Sequence, residues 1–170
     1  MCILFSIIAA VDKNFAIGYK NNLLCEIPDD LKRFRSLTMG KRVVVGRKTF
    51  ESIKNKMFGR RITVATRSED LAYDNAAVCC DLKSFLHKNK NTPEEIFIIG
   101  GGEIYSLSLP YTKKIYLTRI EKEFLFADRF FPDIDVSKWN RFVSPFFLCN
   151  KNNVCFRYET YIREKILFSY

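Results

Sequence analysis

Histidine is almost absent from this sequence, and its cysteines lack the spacing of a metal site. His87 is the only histidine among 170 residues, and the six cysteines form no C-x-x-C pair. Structural zinc sites need four cysteine, histidine or carboxylate ligands at short spacings, and a Ser-His-Asp triad needs a placed histidine. The composition therefore argues against zinc chemistry and triad hydrolysis. We expect no metal ligands, and we expect the cysteines to be reduced and mostly buried.

Long apolar runs are also missing. No run approaches the roughly 20 residues that a membrane-spanning helix requires, and no basic segment precedes the apolar start of the chain as it would in a secretory signal. Hydrophobic residues make up 48% and charged residues 28% of the chain, which is typical of a globular protein. We therefore expect residues 1–170 to form a single domain that is cytoplasmic, monomeric and without a membrane partner.

The formal net charge of +9 raises the question of nucleic-acid binding. Nucleic-acid-binding domains usually concentrate their lysines and arginines on one patch or within a recognised motif. Here the basic residues are spread from Lys13 to Lys165 and no such motif frames them. A basic surface that attracts a small anionic ligand explains the charge at least as well. We expect no nucleic-acid partner, and a basic module that binds nucleotide or nucleic acid without turnover stays an alternative.

Short apolar runs rich in β-branched residues predict the strands of a sheet. These runs lie at 5–11, 43–45, 96–99 and 115–117, and glycine or polar residues end them. Such runs are typical of parallel strands that are buried on both faces.

An amphipathic helix is predicted to begin at Pro28. Proline suits the first helical turn, and Asp29 and Asp30 are favourable at the positive end of the helix dipole. Apolar residues then recur at helical spacing at 31, 34 and 37. Because Asp30 precedes Phe34 by four residues, we expect this carboxylate to lie beside an aromatic ring on the face turned to the core.

The remaining elements complete the predicted fold. Helices are predicted over 82–88, with Asp81 as N-cap, and over 103–107. Turn-like residues at 150–153 separate the stretches 142–149 and 154–163, which predicts an antiparallel hairpin. The predicted fold class is α/β, a single domain with a mostly parallel central sheet, an antiparallel C-terminal hairpin and helices on both faces.

Two strand-to-helix turns have the composition of phosphate sites. The strand at 43–45 runs into Gly-Arg-Lys-Thr at 46–49, and the strand at 96–99 runs into Gly-Gly-Gly-Glu at 100–103. Glycine lets the backbone approach a ligand, and the free N–H groups of a helix start bind anions. Neither turn is a Walker A loop, and Tyr105 takes the place of the third glycine in a Rossmann pattern. Together with Arg47 and Lys48, the turns predict a phosphorylated nucleotide ligand that carries a further anionic group.

Seven segments together resemble the dihydrofolate reductase family. They follow the family's order and spacing from about residue 3 to about residue 163, so their collinearity is more specific than any single motif. The segments are Ser-Ile-Ile-Ala-Ala at 6–10, Ile-Gly at 17–18, Ile-Pro-Asp-Asp-Leu-x-x-Phe at 27–34, Val-Gly-Arg-Lys-Thr-Phe-Glu-Ser-Ile at 45–53, Gly-Arg at 59–60, Ile-Gly-Gly-Gly-Glu-Ile-Tyr at 99–105 and Phe-Pro at 131–132.

The resemblance implies NADPH-dependent reduction of 7,8-dihydrofolate to tetrahydrofolate, with hydride transfer to C6 and protonation of N5, and it implies antifolate inhibitors as further ligands. It makes Asp30 the carboxylate that binds the pterin and favours the protonated substrate, and the only ionisable group near the pterin. Thr118 and Cys25 complete the catalytic group. Arg60 is implied to pair with the glutamate α-carboxylate. The folate-side residues are Ile8, Leu31, Phe34, Ser52, Ile53, Arg60 and Ile99.

The resemblance also implies how NADPH is held. The nicotinamide would contact Ala10, Ile17 and Gly18. The residues implied around the 2′-phosphate are Arg47, Lys48, Thr66 and Arg67. Those implied around the pyrophosphate are Gly46, Arg47, Lys48, Thr49, Gly100, Gly101, Gly102, Glu103, Ile104 and Tyr105. The family pattern further implies a cis peptide bond between Gly100 and Gly101.

The sequence departs from the family at three places. Leu-Leu-Cys at 23–25 replaces the usual Leu-Pro-Trp, and because a thiol is smaller than an indole and lacks its N–H, we expect a roomier pocket and slower turnover. Residues 54–58 replace a proline-containing stretch. The tail at 165–170 ends apolar, as a packed segment or as the stub of a link to another domain.

The enzyme alternative is the related pyrimidine reductase of riboflavin synthesis, which Asp30, Phe34 and Arg60 together disfavour.

Overall fold

The computed structural model describes residues 5–164, so the tail at 165–170 lies outside the described residues. The strands are β1 (Phe5–Val11), β2 (Ala16–Gly18), β3 (Arg42–Gly46), β4 (Arg61–Ala65), β5 (Ala76–Cys79), β6 (Ile96–Ile98), β7 (Thr112–Ile120), β8 (Arg129–Phe130), β9 (Trp139–Val143), β10 (Phe147–Cys149) and β11 (Val154–Arg163). The α-helices are α1 (Pro28–Thr38), α2 (Arg47–Ile53), α3 (Leu82–Asn89) and α4 (Gly102–Ser108).

One nine-stranded sheet organises the fold. Its strand order is β10-β11-β7-β1-β6-β3-β4-β5, with β9 also paired to β11, while β2 and β8 form a small separate sheet. The strands from β7 to β5 pair in parallel, and β11 runs antiparallel to β7, β9 and β10. Because parallel strands share one carboxyl edge, the segments that follow β1, β3, β4, β5 and β6 gather at the same edge, where ligands bind in open α/β sheets.

Both faces of the sheet are covered by helices, as predicted. Successive residues of β1 point to opposite faces. Ile7 belongs to a buried cluster with residues of α3 and α4, whereas Ile8 belongs to a second cluster with residues of α1 and α2. The mostly parallel sheet, the antiparallel hairpin and the two helical layers confirm the predicted fold class.

The predicted helix starts agree with the structure to within one residue. Helix α1 begins at Pro28. Asp81 caps α3 by accepting a hydrogen bond from the Ser84 backbone N–H at 3.0 Å. Helix α4 begins at Gly102, one residue before the predicted start.

The predicted hairpin is confirmed, since β10 pairs antiparallel with β11, but the stretch 142–149 is divided between two strands. Strand β9 ends at Val143 and β10 begins at Phe147, because Pro145 has no backbone N–H to donate to a ladder. Ser144 fills the gap: its backbone N–H donates to the Tyr158 carbonyl at 2.9 Å, and its hydroxyl accepts from the Tyr158 N–H at 2.9 Å. Between β9 and β10, the three residues 144–146 therefore lie opposite only two residues of β11, as in a β-bulge.

The cysteines are less buried than expected. The five described cysteines are all free thiols. Only Cys149 is buried, Cys25 and Cys79 are half-buried, and Cys80 and Cys155 are exposed, so the expectation of mostly buried thiols was wrong. Within the described residues, no helix is both long and apolar enough to cross a membrane.

Candidate active site

A cavity of about 1070 Å³ opens at the carboxyl edge of the parallel strands. The predicted cofactor residues that line it are Ala10, Ile17, Gly18, Gly46, Arg47, Lys48, Thr49, Thr66, Arg67, Gly100, Gly101, Gly102, Glu103, Ile104 and Tyr105. The predicted folate residues that line it are Ser52, Ile53 and Ile99. The two glycine-rich turns, which are far apart in the sequence, thus border one space.

Bare backbone forms the wall between these turns. The Gly46 N–H donates to the Gly100 carbonyl at 2.7 Å. A Cβ atom at Gly46 would lie 2.9 Å from Ile104 Cγ1, and one at Gly102 would lie 2.8 Å from the Phe130 carbonyl oxygen. Both positions therefore exclude a side chain, because other parts of the protein already occupy the space that a Cβ atom would need. The Gly100–Gly101 peptide bond is cis, as predicted.

Basic side chains stand at the rim of the cavity. Arg47 pairs with Glu51 at 3.3 Å, and Arg67 pairs with Glu103 at 3.3 Å. Lys48 lines the same space. Both ion pairs are exposed, and exposed pairs are weak, so the arginines can turn from their acidic partners towards a phosphate. The bare backbone and this basic rim together fit a phosphorylated dinucleotide with one further phosphate, such as NADPH.

Asp30 lies outside the lining of this cavity, on the first turn of α1. The Thr118 hydroxyl, from β7, donates a hydrogen bond to Asp30 Oδ1 at 2.5 Å. Thr118 is paired in register with Ala10 of β1, which does line the cavity. Burial raises the pKa of the Asp30 carboxyl, and the Thr118 hydrogen bond and the charge of Arg33 oppose that effect. The carboxylate is thus held in a partly desolvated place with one neutral donor.

That Asp30 is the only ionisable group near the pterin stays a prediction, but the structure places a second ionisable side chain, Arg33, beside Asp30. Arg33 follows it by three residues on the same helical face, and its Nη1 lies 3.5 Å from Thr118 Oγ1 and 3.4 Å from the Leu117 carbonyl oxygen. Burial lowers the pKa of this guanidinium, and Asp30 raises it. The spacing of three residues along a predicted helix was the signal that could have identified Arg33.

The apolar folate-side residues connect Asp30 to the cavity. Ile8 and Phe34 pack in the same cluster as Ile53 and Ile99, which line the cavity. Leu31, on the first turn of α1, is an exposed apolar side chain. The predicted folate residues therefore form a surface that continues from the cavity towards α1.

Arg60 is anchored by main-chain and side-chain acceptors. Its Nε donates to Thr38 Oγ1 at 2.8 Å, and its Nη1 donates to the carbonyls of Lys56 at 3.3 Å and Phe58 at 3.1 Å. The guanidinium also lies 5.1 Å from the centre of the Phe34 ring. Burial lowers its pKa, but a guanidinium keeps its charge at neutral pH. The side chain is thus held in place to receive an anion.

Cys25 lies in the loop before α1, half-buried against a cluster that includes Cys149. Burial raises the pKa of its thiol, and the neighbouring Cys149 adds to this effect. The turn between β10 and β11 holds this loop. Asn152 Nδ2 donates to the Glu26 carbonyl, and the Lys151 ammonium pairs with the Glu26 carboxylate at 2.7 Å.

Sequence reasoning missed several cavity residues. Some lie in or after β4 and β5, strands that were not predicted, a few lie in β1, β8 and α4, and the rest lie in loops. The missed residues are Ala9, Asn21, Asn22, Leu23, Glu26, Lys56, Ala65, Ser68, Cys79, Cys80, Asp81, Leu82, Lys83, Leu107 and Arg129. A helix or strand period carries no information about loop residues of this kind.

A parallel α/β sheet whose carboxyl edge holds a basic, glycine-walled cavity beside one partly desolvated carboxylate defines an enzyme that binds a phosphorylated dinucleotide. Comparison with known proteins makes the class specific. The family described as dihydrofolate reductase matches residues 4–163. The chain belongs to the dihydrofolate reductase family. It is an NADPH-dependent oxidoreductase that reduces 7,8-dihydrofolate to tetrahydrofolate.

Individual relatives agree with this membership. The chain is 39% identical over 136 residues to a dihydrofolate reductase of Bacillus subtilis (strain 168), covering 80% of each chain. It is 40% identical over 130 residues to the type 3 dihydrofolate reductase of Salmonella typhimurium, covering 76% of this chain and 79% of the other. A solved dihydrofolate reductase of Enterococcus faecalis, complexed with NADP(H) and RAB-propyl, superposes with a TM-score of 0.86 at 28% identity, covering 97% of this chain and 100% of that one.

Proposed function

We propose that Asp30, Thr118 and Cys25 form the catalytic group of this reductase, with Asp30 as the carboxylate that binds the pterin. The observation that carries the proposal is the partly desolvated Asp30 carboxylate with Thr118 on Oδ1. A pterin presents an amino group and a ring nitrogen side by side, which a carboxylate binds through two hydrogen bonds. Bound in this way, Asp30 favours the protonated form of the substrate, directly or through water.

The folate side is proposed to extend from Asp30 along α1 to Arg60. Ile8, Phe34, Ile53 and Ile99 supply an apolar surface for the flat ring system. The other proposed contacts are Leu31, Ser52 and Arg60. Arg60, held by three oxygen acceptors, pairs with the glutamate α-carboxylate. Cys25 contributes a smaller side chain than the tryptophan usual at this place, so the substrate side is roomier and turnover is slower.

The cofactor side is proposed to be the cavity at the carboxyl edge of the strands. NADPH, when bound there, supplies the hydride. Ala10, Ile17 and Gly18 hold and orient the nicotinamide and exclude water from it. The pyrophosphate lies against the backbone of 46–49 and 100–105, the two glycine-rich turns that border the cavity. Arg47, Lys48, Thr66 and Arg67 bind the 2′-phosphate.

The remaining properties are also proposals. We propose that residues 1–170 act as one reductase domain, as a monomer in the cytoplasm, with antifolates competing for the folate side. The basic residues are spread over the chain, which supports attraction of the anionic substrate and cofactor rather than binding of nucleic acid.

The test is oxidation of NADPH by the purified chain with 7,8-dihydrofolate as acceptor. We expect oxidation that requires dihydrofolate and that methotrexate abolishes. A phosphorylated ribosylaminopyrimidine, the substrate of the related riboflavin enzyme, should not replace dihydrofolate. Oxidation with that pyrimidine and none with dihydrofolate would overturn the assignment of the folate side.

A further inference from the structure

Arg33 is fixed in an aromatic and polar cage beside Asp30. Its guanidinium lies 4.2 Å from the centre of the Tyr158 ring and 5.5 Å from that of the Tyr116 ring. Its Nη1 donates to the Leu117 carbonyl and to Thr118 Oγ1. A long, flexible side chain held by two rings and two oxygens has lost most of its freedom, so its charge has a defined position.

The hydroxyl of Thr118 connects Arg33 to Asp30. Its oxygen accepts a hydrogen bond from Arg33 Nη1 and therefore turns its own hydrogen towards Asp30 Oδ1. A donor that also accepts from a cation is polarised and makes a stronger hydrogen bond. Arg33 thus acts on Asp30 in two ways, by orienting the Thr118 hydroxyl and by placing a positive charge one hydroxyl away from the carboxylate.

We propose that Arg33 is a positioning residue that sets the pH range of this reductase, by orienting the Thr118 hydroxyl and by holding a fixed positive charge beside Asp30 and the pterin. This inference rests on the role proposed for Asp30. The protonated substrate, which the ionised Asp30 carboxylate favours, is disfavoured by a nearby cation. Arg33 therefore moves the activity of the enzyme towards lower pH.

Few other charges act on this pair. The ionisable neighbours of Asp30 and Arg33, besides each other, are Asp29 of α1, Tyr105 of α4, Tyr116 of β7 and Tyr158 of β11. Burial raises the pKa of Tyr105 and of Tyr158, so both phenols stay neutral at physiological pH. Lys114 lies 5.5 Å from the centre of the Tyr116 ring, not against Asp30. In the described part of the chain, Arg33 is the cation whose charge acts on Asp30.

The test is the pH profile of the hydride-transfer rate, measured at saturating NADPH in wild-type and Arg33→Gln enzymes. Removing the charge should move the apparent pKa of the profile upward by about one unit, the usual effect of a nearby charge. Because the rate falls as pH rises through that pKa, the ratio of the variant rate to the wild-type rate should grow about tenfold from low to high pH. A purely structural role would lower the rate by the same factor at every pH.

Matched variants separate charge from packing. Arg33→Lys keeps the charge and should keep the wild-type apparent pKa of the profile. Arg33→Met removes the charge but keeps much of the volume, so its apparent pKa should shift as in Arg33→Gln. The methionine variant therefore provides the same test if the glutamine variant does not fold. Lys32→Gln removes an exposed cation on the same helix, one that pairs with Asp29, and should leave the profile unchanged.

Two results would overturn the inference: parallel profiles for wild type and both neutral variants, or an equal shift in Lys32→Gln. Failure of the role proposed for Asp30 would appear separately, as undiminished activity in Asp30→Asn.

Discussion

Replacing Asp30 with asparagine tests the central assignment, because the two side chains have nearly the same shape but only one can be ionised. Asparagine can still accept the Thr118 hydrogen bond on its amide oxygen. Its second polar group is an NH₂, which donates where the carboxylate accepts. The variant therefore keeps the contact inside the protein and loses the contacts proposed to the pterin.

The expected loss follows from counting those contacts. A pterin bound through two charge-assisted hydrogen bonds gains roughly 1.5–3 kcal/mol from each, so their loss costs about 3–6 kcal/mol. This corresponds to a decrease of about 10²- to 10⁴-fold in kcat/KM at neutral pH. The same range is usual for a lost general acid or base.

The loss should become smaller at low pH for two reasons. A substrate that is already protonated in solution no longer needs the enzyme to favour that form. In addition, burial raises the pKa of Asp30, so the wild-type carboxyl begins to lose its charge above the ordinary value of 3.8 and the two enzymes converge.

The assay is kcat/KM for dihydrofolate between about pH 5 and about pH 8. The matched control is Asp29→Asn, since Asp29 is the exposed neighbouring carboxylate and pairs with Lys32 at 3.3 Å; it should retain nearly full activity. A defect of constant size across this range, or an equal defect in the control, would refute the role of Asp30.

Two further predictions concern the cofactor and stability. Arg67→Ala should weaken NADPH binding about fivefold and NADH binding hardly at all, because an exposed arginine contributes about 1 kcal/mol to a phosphate pair. Equal weakening of both cofactors, measured by fluorescence titration, would remove Arg67 from the 2′-phosphate site. Glu159 is 2% exposed; burial acts to raise its pKa, but hydrogen bonds from Arg141, Tyr161 and Arg157 outweigh burial and lower it. Glu159→Gln should therefore reduce the free energy of unfolding by about 3 kcal/mol at neutral pH. The difference in stability between the two proteins, measured by urea unfolding, should vanish as the pH falls through the lowered pKa of Glu159. A difference that stays constant into acid would contradict this role of Glu159.

Local sequence patterns were sufficient for the elements whose signals are local. The start of α1 was predictable because a proline, two acidic residues and an apolar period coincide at Pro28. The same period placed Asp30 on the inner face. The two glycine turns were predictable because each follows a buried strand, and the resemblance to the family joined them into one site.

Elements with weak local signals were missed. Strand β4 starts with Arg61 after another arginine and has Thr63 at its centre, and β5 is a four-residue edge strand that consists mostly of small residues and is only partly buried, so both have weak strand signals. They are nevertheless the strands that bring Thr66 and Asp81 to the cavity. Their place is decided by pairing in the sheet, not by their own residues.

Contacts between distant residues were also beyond the sequence pattern. The cage around Arg33 needs Tyr158, which belongs to the last strand. The loop that contains Cys25 is anchored by the hydrogen bond from Asn152 to the Glu26 carbonyl. No period or motif relates residues so far apart in the chain. The arginine was visible as a charge on α1, but its two aromatic neighbours were not.

The contribution of β11 to the substrate side has a consequence for synthesis of the protein on the ribosome. The residues that line the cofactor cavity lie between Ala9 and Arg129, whereas Tyr158 and the turn that holds Glu26 come from the end of the described chain. A nascent chain can therefore assemble most of the cofactor cavity while its substrate side still lacks one wall. Folate ligands, including antifolates, should stabilise the chain only once β11 is free to pair with β7, so translation itself orders the formation of the two halves.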